Sequence, residues 1–143
     1  MNVWRSRLAT LRAMLWLMLA RTLVRLAPLR TYRLTLGPVA EGVRDCEPEP
    51  SDVDLALAIA QRIERAATRL PGESKCLPKA IALQWMLRRV GLPSRLIVAV
   101  HRTARNGPHA FHAWVEQGER ILIGHCDRAD YCPVMAFDQF GAS

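Results

Sequence analysis

Two residues in this chain suit covalent acyl chemistry. Cys76 stands in SKCLPKAIAL (residues 74–83), directly before a hydrophobic helical pattern, and His112 stands in FHAWVE (residues 111–116), an alternating run that reads as a strand. If Leu77 opens the helix, the Cys76 sulfur lies at its N-terminus, where unpaired N–H groups and the macrodipole favour negative charge. That setting favours the thiolate, the reactive form of the side chain. The same amides can donate to a developing oxyanion. Pro78 costs little there, because first-turn amides lack intrahelical partners. His112 has the chemistry of a general base to the thiol and then of a general acid to a leaving amine. Such a base usually works with a third group that holds its tautomer. If the following turn pairs residue 112 with 123 or 124, Asp127 in ILIGHCD falls just past that point.

Each of these residues has a plainer role. A cysteine before a helix is ordinarily packed or capping, and a histidine in mid-strand is ordinarily part of a core or surface. Their order and spacing together give the chemical reading its weight. Trp114 shares the face of His112, about 7 Å along a strand rising 3.3 Å per residue; it either walls the site or belongs to the core. Glu116 lies on the same face near the hairpin and reads as a surface carboxylate. Cys126, Cys132, His101, His109 and His125 suggest a metal, but a single C-x5-C with scattered histidines lacks the close pairs of a structural zinc site. No metal or other cofactor is expected.

The elements that must position these residues follow from the hydrophobic period. Residues 3–28 read as one helix, apolar over most of its surface and ending near Pro28. It packs either on the domain, on a partner, or as a basic interfacial helix on a membrane. Residues 36–50, with three prolines and two glycines, read as a linker. Ser51 and Asp54 approximate a capping box for a second helix to Arg69, with Leu55, Ile59, Ile63 and Ala66 as its buried stripe. A third helix runs from Leu77 to Val90 and stops at Gly91. The period then changes. Residues 95–101, 111–116 and 120–124 read as strands, the last two joined by a tight turn at Gln117-Gly118, and residues 131–137 as a final short strand. Helices followed by an antiparallel sheet make an α+β plan. The boundaries expected are a basic helical arm over 1–35, the linker over 36–50 and the catalytic domain over 51–143.

Composition excludes several classes. The chain has 143 residues and a net charge of +7, yet residues 1–35 carry seven arginines (5, 7, 12, 21, 25, 30 and 33) and no acid, leaving the rest neutral. The charge belongs to the N-terminal arm and comes without a nucleic-acid-binding motif, so no nucleic-acid partner is expected. The apolar run at 14–20 is too short to cross a bilayer. Four cysteines (46, 76, 126 and 132) lack the dense spacing of a secreted disulfide framework. The expected location is the cytoplasm, peripheral to the inner membrane face if the first helix meets lipid.

The run CLPKAIALQWMLRRVGLPSRLIVAV, followed by FHAWVEQGERILIG and YCPVMAF, resembles the stand-alone leader peptidases of lasso-peptide biosynthesis, within the transglutaminase-like, papain-related superfamily. The likeness covers roughly residues 10–138. Its core is a cysteine opening a Leu/Ala-rich helix that ends in Arg-Arg-x-Gly, followed by His-Ala-Trp-Val-Glu on a strand. The resemblance implies a papain-like cysteine peptidase that removes the leader from a ribosomally made precursor peptide and frees the amine that a separate ATP-using cyclase joins to an Asp or Glu side chain. It implies a small separate leader-binding protein, Cys76 as nucleophile and His112 as base. One departure stands out. The family's aspartate commonly follows the histidine by about a dozen residues, where this chain has Ile123-Gly124-His125. Asp127, Asp130, His125 or a purely backbone or water partner remain as candidates for the third member.

Overall fold

The computed structural model describes residues 3–28, 31, 35–37, 50–72, 75–104, 106–107 and 110–139. Most of the expected linker, together with Cys46 and His109, lies outside them, as does the Ser51 side chain with its expected cap.

Three helices precede four strands: α1 (Val3–Leu26), α2 (Pro50–Arg69), α3 (Cys76–Arg89), β1 (Ser94–His101), β2 (Phe111–Gln117), β3 (Arg120–Ile123) and β4 (Tyr131–Gln139), with a short 3-10 turn at Arg128–Asp130. α1 turns Ala13, Leu17 and Ala20 into the same core as α2 and α3. Leu17 and Ile63 have no exposed surface, so truncating either to alanine costs about 2–5 kcal/mol. The buried stripe of α2 is Ala56, Ile59, Ala60, Ile63 and Ala66. It is rotated slightly from the stripe expected, and Leu55 is left 43% exposed at its margin.

α3 is the central helix, with Ala80, Ile81, Ala82, Leu83 and Leu87 fully buried. It ends in a Schellman motif: Gly91, at φ 74°, donates to Arg88 O and Leu92 donates to Leu87 O. The buried Gln84 ties the helix to its surroundings. Its Nε2 donates to Leu36 O (2.9 Å) and Phe137 O (3.1 Å), and its Oε1 accepts from Ser94 Oγ (2.7 Å).

The sheet is antiparallel, ordered β3-β2-β1-β4, with His112 opposite Ala99 of β1. Alternation gives it two faces. Leu96, Val98, Ala113, Val115, Leu122, Met135 and Phe137 pack toward the helices. Ile97, Ala99, Trp114 and Tyr131 form a second, smaller cluster with Ile121, Cys126 and Ala136. The segment after β3 folds back toward this second cluster. Cys126 packs on it, Arg102 Nε donates to Ala129 O and Arg128 Nη2 donates to Glu119 O.

The β2–β3 register differs from expectation. Gln117 pairs with Arg120 around Gly118-Glu119, and Val115 rather than residue 112 pairs with Ile123, after a register shift. Gly118 adopts φ 60° at the first turn position, which matches the twist of a two-residue hairpin and closes the loop one residue later than the sequence pattern suggested.

Candidate active site

Cys76 is the first residue of α3, one position inside the helix rather than just before it. The preceding Lys75 is extended (φ −71°, ψ 165°) and makes no side-chain cap hydrogen bond. Pro78 has no N–H, and the Lys79 amide turns back to Lys75 O. The Cys76 and Leu77 amides therefore form the open end of the helix, without a side-chain cap. The half-buried thiol packs against the main core.

His112 occupies the second position of β2 and is half-buried. Its Nε2 lies 2.7 Å from the main-chain oxygen of Gly124. A carbonyl only accepts, so Nε2 carries a proton, and whenever the ring is neutral its lone pair lies on Nδ1. Gly124 is where the chain leaves β3, at φ 79°. A Cβ built there would stand 2.5 Å from Ala113 O and 3.1 Å from Trp114 Cα. Both the backbone angle and the close approach require glycine.

Aromatic rings surround the imidazole. Tyr131 lies 5.3 Å away between centroids and Trp114 lies 6.1 Å away, with 6.3 Å between the two. Trp114 is only 1% exposed, so it backs the histidine from within the second cluster rather than offering a surface to substrate. Its Nε1 donates to Glu116 Oε2 (3.1 Å), which also pairs with Arg128 (3.0 Å). Glu116 thus links the 3-10 turn to the ring beside His112 rather than standing free on the surface.

Tyr131 and Cys126 have perturbed acidities. Burial pushes the Tyr131 hydroxyl above its ordinary pKa, and negative charge on Cys126, Asp130 and Cys76 adds to the rise. Burial likewise raises the Cys126 thiol; Arg128 opposes the rise, while Asp127, Asp130 and Cys76 add to it. No hydrogen bond joins Cys76 to His112 among the described residues, and such pairs often tighten only when substrate binds.

Among the described residues, no acidic side chain is hydrogen-bonded to His112. Asp127 is exposed and caps the 3-10 turn, its Oδ1 accepting from Ala129 N at 3.0 Å. Asp130 and His125 are exposed. The hydrogen bond from His112 goes to Gly124 O instead of to Asp127. Sequence reasoning did not single out this oxygen, since a main-chain carbonyl has no letter of its own, although a glycine twelve residues after the histidine marked the place. Tyr131 was also missed as a site residue. His101 takes a structural part, its Nδ1 accepting from Thr103 N (3.2 Å) and Ala104 N (2.9 Å).

Residues 13–136 match the family profile described as the transglutaminase-like superfamily. The chain belongs to the transglutaminase-like superfamily. No curated protein and no solved structure matches it. The superfamily includes cysteine peptidases, and its α+β plan agrees with three helices followed by a four-stranded antiparallel sheet. In this transglutaminase-like chain the match takes in both Cys76 and His112, on α3 and β2.

Proposed function

We propose that this transglutaminase-like protein is a cysteine peptidase that cleaves the leader from a lasso-peptide precursor. The observation that carries the reading is the His112–Gly124 hydrogen bond, because it leaves Nδ1 as the basic atom of the ring. The motif pair CLPKAIALQWMLRRVG and FHAWVE supports the substrate assignment.

Nδ1 of His112 takes the Cys76 proton as Sγ attacks the carbonyl carbon at the leader–core junction. The Cys76 amide, at the uncapped end of α3, donates to the resulting oxyanion. The tetrahedral intermediate collapses as the imidazolium gives its proton to the departing core amine, leaving the leader as a thioester on Sγ. Water, deprotonated by Nδ1, then hydrolyses the thioester and restores the thiol. The freed amine is the substrate of a separate cyclase, and a separate leader-binding protein presents the precursor. Trp114 and Tyr131 hold the imidazole plane.

Mass spectrometry of a precursor peptide incubated with the chain and a leader-binding protein tests the reading. Leader and core masses should appear with the native chain and vanish with both Cys76→Ala and His112→Ala. Cleavage that survives Cys76→Ala would show that this cysteine is not the nucleophile, and no cleavage by the native chain would favour the alternative, a non-catalytic peptide-binding or scaffold role.

A further inference from the structure

Helix α1 has two apolar faces, and the molecule uses one of them. Ala13, Leu17 and Ala20 enter the core, whereas Trp4, Leu8, Leu11, Leu15, Leu19 and Leu26 are 74, 57, 53, 71, 47 and 81% exposed. At 3.6 residues per turn these six positions fall on one seam opposite the buried stripe. Arg5 and Arg12 run along one flank of the seam and Arg7 and Arg25 along the other, all exposed. A continuous apolar strip of this length is more than a scatter of single surface residues and marks an interaction site.

We propose that this seam rests on an anionic phospholipid surface. The apolar side chains enter the boundary between headgroups and acyl chains, while the flanking guanidinium groups reach lipid phosphates. The charge pattern selects this occupant, because residues 1–35 hold seven arginines and no acid. A second copy docking seam to seam would bring like charges together with no acid from that segment to offset them. Near the middle of the helix, Arg12, Leu15, Trp16, Leu19 and Arg89 line an open depression of about 330 Å³, with Arg89 over the Trp16 ring at 5.4 Å. Two cations beside apolar walls suit a phosphate headgroup. The helix lies on the bilayer rather than crossing it, since no described helix is long and apolar enough to span.

The test is co-sedimentation of the full chain with vesicles of phosphatidylcholine and phosphatidylglycerol in a three-to-one ratio, against vesicles of phosphatidylcholine alone. Binding should favour the anionic vesicles, weaken with added salt, and fall by about ten-fold in Leu8→Glu/Leu15→Glu and in Arg5→Gln/Arg12→Gln. Circular dichroism reports whether these variants fold. If one does not, the native chain and Trp4→Phe decide: anionic vesicles should shift native tryptophan emission to the blue, and the substitution should remove most of the shift. A native chain that stays in the supernatant, equal binding to both vesicle types, or undiminished binding by folded Leu8→Glu/Leu15→Glu overturns the proposal. A lipid-free dimer that the same substitutions dissolve would assign the seam to protein contact and also overturn it. None of these outcomes depends on peptidase activity.

Discussion

The Nε2–H of His112 ends on the main-chain oxygen of Gly124, 2.7 Å away, at the point where β3 gives way to a left-handed bend. A carboxylate in that place would fix the ring and also stabilise an imidazolium by its charge. A carbonyl fixes the ring through a dipole alone. Orientation and tautomer are therefore retained while much of the electrostatic assistance is absent. In the proposed peptidase, the carbonyl holds the ring with Nδ1 free to act as the general base at the moment of attack.

Gly124→Ala should be costly for two reasons that act together. The alanine would need φ near 79°, and its Cβ would meet Ala113 O at 2.5 Å. The strained conformation alone costs about 1–3 kcal/mol, and relief of the clash must move the carbonyl away from His112. Urea unfolding should register the stability loss. Leader removal by the fraction that remains folded should fall by about 10-fold or more, as expected for a mispositioned base. Native activity in a folded Gly124→Ala protein would show that the carbonyl does not hold the histidine.

Asp127 gives the opposite expectation. Its Oδ1 caps Ala129 N at the exposed 3-10 turn, so Asp127→Ala should cost about 1 kcal/mol of stability and change leader removal by less than about 3-fold, while His112→Ala removes it. A loss of about 100-fold in Asp127→Ala, with stability little changed, would restore the carboxylate as the partner of the imidazole.

These two positions show what the sequence could and could not convey. The order of helices and strands was legible because the hydrophobic period changes after Gly91, and the ends of α3 were marked by Cys76 and by a glycine that adopts φ 74°. The partner of His112 was not legible, because main-chain oxygens are identified only once the register is known. That register depended on which residue of Gln117-Gly118-Glu119 opened the turn. Trp114 was placed correctly beside His112, but burial decided between wall and core, and burial depends on the segment that folds back after Gly124. Gln84 reads as one polar position on an apolar helix, with nothing local to show that its partners come from Leu36, Ser94 and Phe137.

Gln84→Leu should therefore destabilise strongly despite its similar size. It removes three hydrogen bonds and leaves Leu36 O, Phe137 O and Ser94 Oγ without this partner. Each buried polar group left unsatisfied costs about 1–3 kcal/mol, so a loss of about 3 kcal/mol or more is expected in a denaturant titration. A change below about 1 kcal/mol would mean that these groups find other partners at little cost.

Thiol reactivity offers a readout of the site's electrostatics that needs no substrate. Cys126 is half-buried beside the aromatic cluster and Cys132 is exposed. Burial, aided by Asp127, Asp130 and Cys76, holds the Cys126 thiol above its ordinary pKa against the pull of Arg128. A raised pKa means less thiolate at a given pH, and the thiolate is the species that reacts. With iodoacetamide at pH 8 and peptide mass spectrometry, Cys132 should be alkylated before Cys126. Labelling of Cys126 should accelerate only as pH passes above the usual thiol range, about 8.5. Asp130→Asn removes a negative neighbour and should quicken Cys126. Arg128→Gln removes the opposing positive charge and should slow it further. Alkylation of Cys126 as fast as that of Cys132 at pH 8, or opposite responses to the two substitutions, would contradict this account of the charges around His112 and Tyr131.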